Sequence, residues 1–87
     1  MNDSQSQQIL EKLQAYIEDH FSVQFDGEKI NADTDLFYEG VIDSFGIVDL
    51  VGFIETTFSV ALTNNDMTSP LLSTLNGQVK LIIERQS

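Results

Sequence analysis

Ser44 and the chain's single histidine, His20, are the side chains best suited by type to nucleophile and base chemistry. Ser44 stands in the run Leu36-Phe37-Tyr38-Glu39-Gly40-Val41-Ile42-Asp43-Ser44-Phe45-Gly46-Ile47-Val48, just past a glycine-containing turn and at the start of an apolar helical pattern. A phosphate joined to its hydroxyl would meet unpaired backbone N–H groups and the positive end of the helix. Hydrolytic chemistry fits less well. The nucleophile-elbow pattern places a glycine two residues before the serine, where this chain has Ile42, and His20 has no fixed sequence relation to Ser44. His20 is instead expected to close the first helix as a C-terminal cation. Asp33-Thr34-Asp35 matches the opening of a calcium-binding EF-hand loop, but Tyr38 occupies the glycine position and Ser44 the bidentate glutamate position. Turn and cap hydrogen bonds account better for these aspartates. No catalytic set and no metal site is predicted.

Composition narrows the field further. Eighty-seven residues suit a single domain, 1–87, and 41% hydrophobic content suits a modest core. The absence of cysteine removes disulfides, thiolate metal sites and a cysteine nucleophile. Fourteen acidic against four basic residues give a net charge of −10, which repels nucleic acid and anionic lipid and favours basic partner surfaces. No apolar stretch is long enough to span a bilayer. The run Met1-Asn2-Asp3-Ser4-Gln5 has neither the basic nor the apolar region of a secretory signal, so a cytoplasmic protein is expected. The triplet Asn2-Asp3-Ser4 is then a chance glycosylation pattern.

The positioning elements read as helices. Ser4 is a candidate cap for a first helix running to about His20, with Ile9, Leu10, Leu13, Ile17 and Phe21 on one face. No helical period holds from Ser22 to Asp43. A loop of that length needs anchors, and Val23, Phe25, Ile30, Leu36, Phe37 and Ile42 are available, with a helical turn near Thr34 to Phe37. Asp43 or Ser44 then caps a second helix reaching about Phe58, whose stripe is Ile47, Leu50, Val51, Ile54 and Phe58, widened by Phe45 and Val48. A brief third helix is expected from Asn65 to Ser69, ended by Pro70. Ser73 or Thr74 caps a last helix that turns Leu75, Val79, Ile82 and Ile83 inward and ends near Arg85.

With these residues in place, the chain resembles the acyl and peptidyl carrier protein family. The resemblance rests on Asp35 to Phe45, including Gly40 four residues before Ser44, and on the helix through Ile47, Val48, Leu50, Ile54, Glu55 and Phe58. It implies an all-α, acyl-carrier-protein-like four-helix bundle, three helices longer and one short, with a long loop between helices one and two. It also implies that Ser44 carries a covalent 4′-phosphopantetheine taken from coenzyme A by a phosphopantetheinyl transferase using Mg²⁺. The chain would then be a phosphoprotein and no enzyme. Two departures bear on subtype: Phe45 stands where the family usually has leucine, and helix two carries few acids, mainly Asp49 and Glu55. In this it is similar to freestanding carriers of specialised pathways, such as those of nonribosomal peptide biosynthesis.

Site roles follow from the resemblance. Ser44 anchors the arm, whose thiol holds acyl, aminoacyl or peptidyl groups as thioesters. Gly40, Asp43 and Phe45 support it, with Gly40 supplying a backbone conformation closed to other residues. Phe45, Val48, Asp49, Leu62, Met67 and Thr68 are the expected partner contacts. The implied partners are the transferase, an adenylating or acyl-activating enzyme, and downstream transferase, condensation or thioesterase enzymes, met by a monomer without nucleic acid or membrane insertion. The alternative is an acidic interaction module with the same bundle that is never modified.

Overall fold

Ile9, Leu13 and Ile17 recur at helical spacing, and all three are buried, so α1 (Asp3–Phe21) offers one continuous apolar face to the rest of the chain. The computed structural model describes residues 3–86. Asn2 of the Asn2-Asp3-Ser4 triplet lies outside the described residues, as does the start of the N-terminal run. The helix already includes Asp3, so Ser4 lies within it and is not its cap.

Three further helices follow: α2 (Gly46–Phe58), the four-residue α3 (Asn64–Met67) and α4 (Leu75–Gln86). Among the described residues there is no strand, and no helix is long and apolar enough to cross a membrane. One hydrophobic cluster joins Leu13 and Ile17 of α1, Leu50 and Ile54 of α2, and Leu75 and Ile82 of α4. The radius of gyration, 12.0 Å, equals the value of about 12 Å expected for a compact chain of this length.

The long segment between α1 and α2, residues 22–45, is anchored as its apolar content requires. Leu36 and Ile42 are fully buried in the cluster, and Val23, Phe25, Ile30 and Phe37 pack against its edge. Its polar residues close local turns. The Asp26 carboxylate accepts from the N–H groups of Glu28, Lys29 and Ile30, which lowers its pKa. The expected helical turn spans 35–39, where Glu39 N–H donates to the Asp35 carbonyl at 3.0 Å.

Two caps organise the C-terminal half. Thr63 and Asp66 form a reciprocal capping box at α3, which starts one residue earlier than the sequence suggests. Thr74 settles the α4 cap, its hydroxyl accepting from Gly77 N–H at 2.9 Å. Between them Pro70 does more than end α3: it opens a 3-10 helix, Pro70–Ser73, with Ser69 as its cap. Leu81 and Gln78 are buried along with the expected Leu75, Val79 and Ile82, while Ile83 is only half-buried. α4 is covered on two sides, by α1 and by the 3-10 helix.

Arg85, in the last turn of α4, reaches back to Asp66. Asp66 is 4% exposed; it accepts from Arg85 Nε at 2.8 Å and from Arg85 Nη2, and from Thr63 N–H at 2.9 Å. The Arg85 hydrogen bonds, and next the Thr63 N–H, hold its carboxyl well below the usual carboxylate range and raise the Arg85 pKa. A depressed folded-state pKa stabilises the fold above the unfolded value of about 4, and that stability drains away as pH falls below it. Asp66→Asn is therefore expected to lower the thermal midpoint at neutral pH and to flatten its decline on acidification, as read by circular dichroism melts across a pH series. A midpoint and acid limb equal to those of the parent would refute the pairing.

Candidate functional site

Asp43, not Ser44, caps α2. Its Oδ1 accepts from Phe45 N–H at 3.1 Å and Gly46 N–H at 2.7 Å, and its carbonyl accepts from Ile47 N–H at 3.0 Å. Phe45 already has helical dihedrals, so Ser44 is the first residue of the opening turn. The first-turn N–H groups anticipated as a phosphate cradle are thus already satisfied, because the neighbouring carboxylate is a strong intramolecular acceptor. Ser44 itself is exposed, and no described residue hydrogen-bonds its hydroxyl.

The turn beneath the serine is fixed from below. Gly40 has φ +80°; its N–H donates to the Phe37 carbonyl at 3.1 Å, and Val41 N–H donates to the Leu36 carbonyl at 2.9 Å. That pair is a Schellman closure, with the glycine in the left-handed position it requires. Leu36 N–H in turn donates to the Ser73 carbonyl at 2.7 Å, which ties the turn to the 3-10 helix. Gly46 makes the third anchor. A Cβ there would lie 2.6 Å from Phe21 Cε1, so the absence of a side chain lets the end of α1 close against the start of α2.

Phe45 and Val48 do not widen the buried stripe. They are 83% and 61% exposed, because Leu50, Val51 and Ile54 set the inward face and positions 45 and 48 fall outside it. Both therefore stand on the surface within the first turns after Ser44. Asp49 is exposed as well, and His20 Nε2 lies 3.1 Å from its Oδ2, linking α1 to α2. Leu62 is half-buried against the core, with its N–H donated to Glu55 Oε2 at 2.9 Å. Met67 and Thr68 are exposed at the end of α3, where the Thr68 hydroxyl donates to the Asn65 carbonyl at 3.2 Å.

Two features escaped the sequence reading. Tyr38, directly beyond the half-buried Phe37, is 85% exposed; its place two residues after the fully buried Leu36 is the available signal. Tyr16 and Phe53 stack across α1 and α2 with ring centroids 4.0 Å apart, and His20 stacks on Tyr16 at 5.0 Å. Tyr16 lies one turn from Leu13 and Phe53 one turn from Leu50, so helical spacing offered a clue to both. Burial, and secondarily the charge of Asp49, raises the Tyr16 pKa.

Beside this stack runs an open groove of about 500 Å³ between α1 and α2. Gly52 is part of its lining and is itself exposed, and a Cβ added there would meet nothing within 4 Å. A mid-helix glycine costs up to about 1 kcal/mol relative to alanine. Gly52→Ala should therefore stabilise the fold by about 0.5–1 kcal/mol in urea titrations; a destabilised variant would reveal packing at that position. Chemically, the arrangement offers a rigidly mounted, solvent-facing hydroxyl flanked by exposed apolar side chains. No family model matches this chain, and no curated protein is similar to it.

Proposed function

We propose that this chain is an acyl or peptidyl carrier protein, modified on Ser44. The Ser44 hydroxyl, released from capping by Asp43 and turned to solvent, is the observation that carries the reading. An acyl-carrier-like bundle accounts for the three longer helices, the short α3 and the anchored segment before α2. In the proposed reaction Ser44 Oγ attacks the β-phosphorus of coenzyme A. The new Oγ–P bond replaces the bond to the other phosphate, adenosine 3′,5′-bisphosphate leaves, and a base of the transferase takes the serine proton. The product is a phosphodiester bearing an arm that ends in a thiol. Activating and downstream enzymes of a specialised pathway would load and unload acyl, aminoacyl or peptidyl groups there as thioesters, and tethering raises their effective concentration at each active site.

The exposed Phe45 and Val48 suit apolar docking beside the modified serine. Incubation with coenzyme A, Mg²⁺ and a broad-specificity phosphopantetheinyl transferase should add one phosphopantetheine to the intact mass. Persistent failure of the folded protein to gain that mass would overturn the carrier reading. The same exposed side chains would then favour an unmodified acidic interaction module.

A further inference from the structure

Val48, Gly52 and Thr56 follow one another at four-residue spacing in a single row along α2, and Ser44 stands four residues before Val48 in the opening turn. The three residues of the row line the open groove, with Phe53 beside them and with Tyr16 and His20 opposite on α1. The groove therefore begins one turn beyond the serine and leads away from it. Gly52 gives its wall no side chain, although its backbone needs no glycine dihedral and its surroundings would admit a Cβ. The fold supplies no reason for this glycine. A ligand lying close against the helix would.

Resting on the carrier reading, we propose that the phosphopantetheine arm itself docks in this groove between α1 and α2. The lengths agree. Extended, the arm spans about 15 Å at the usual advance of a backbone of single bonds, while Gly52 lies about 12 Å and Thr56 about 18 Å along the helix from Ser44. The chemistry agrees as well. The arm alternates apolar carbons with a hydroxyl and two amides, and the groove alternates Val48 and Phe53 with Asp49, Thr56 and Thr57. A purely hydrocarbon chain would find no enclosure in so open a channel. The arm would thus rest against the Tyr16–Phe53 stack, its thiol between Gly52 and Thr56.

The chain contains no cysteine, so the arm would carry the sole thiol and can be labelled there selectively. After the mass gain is verified, a nitroxide maleimide on that thiol should broaden the amide resonances of Tyr16, His20, Gly52 and Thr56 in ¹⁵N-labelled protein. Unlabelled holo protein should shift the same resonances relative to the apo form. Gly52→Leu should abolish both effects on α1; if that variant folds poorly, the parent protein's broadening pattern decides alone. Broadening centred on Leu62, Met67 and Thr68, or shifts confined to Asp43, Ser44 and Phe45, would refute groove docking while leaving the carrier reading standing. Absence of the mass gain would remove both.

Discussion

Ser44→Ala is expected to eliminate phosphopantetheine attachment entirely while leaving the fold as stable as the parent, within about 0.5 kcal/mol. The two halves of that expectation have separate physical causes. On the carrier reading, loss of the hydroxyl removes the only atom positioned to form the phosphodiester, so no partial product is expected. Stability is spared because the serine side chain is exposed, makes no hydrogen bond to a described residue, and does not cap α2. Alanine is also the better helix former in an opening turn. Asp43→Ala is the informative contrast. It removes the acceptor for Phe45 and Gly46 N–H and should cost about 0.5–2 kcal/mol. Intact mass and urea denaturation of the two variants together separate the chemical role from the structural one. Labelling retained in Ser44→Ala would mean that another hydroxyl is the acceptor.

Gly77→Ala should be strongly destabilising, opposite in sign to the same change at Gly52. Alanine favours helix at both positions, so the difference must come from space. At Gly77 a new Cβ would collide with the Leu71 carbonyl oxygen and lie 2.9 Å from Leu71 Cα. These are backbone atoms, which no rotamer change can move. The 3-10 helix that holds them is fastened by the Ser69 cap and by Gln78 Nε2, which donates to the Leu72 carbonyl at 2.9 Å. Its Ser73 carbonyl also accepts from Leu36. Relief would require shifting α4 or breaking this set. Overpacking of such a site typically costs about 1–3 kcal/mol, occasionally more, a large share of the roughly 5–15 kcal/mol that stabilises a domain. Each kcal/mol lost should lower the melting midpoint by about 4–8 °C in a chain of this size. A Gly77→Ala protein melting with the parent would mean that α4 and the 3-10 helix do not approach this closely.

Local rules carried much of the architecture. The stripes Ile9–Leu13–Ile17 and Leu50–Val51–Ile54 were legible as helical faces because each is buried on one side only. Gly40 was legible because a Schellman closure needs a left-handed residue. What stayed hidden depended on contacts distant in sequence. Asp66 and Arg85 meet across two turns and a 3-10 helix, and nothing in either local pattern announces the pair. The burial of Leu81 and Gln78 follows from α4 being covered twice, which no single period encodes. Phe45 and Val48 admit both a core and a surface reading from sequence, because hydrophobicity marks an interface as readily as an interior, and the structure exposes both. At the site, the position of Ser44 in the opening turn was readable, whereas the occupation of its neighbouring N–H groups depended on the rotamer of Asp43.

The hydrogen bond from Leu36 to Ser73 has a bearing on how the serine is offered to the outside. Because its turn is stitched to the 3-10 helix, a segment distant in sequence, the serine is held in place against the bundle. On the carrier reading, recognition would then proceed by the partner conforming to a fixed handle, and the mobility required for delivery would fall to whatever the handle carries.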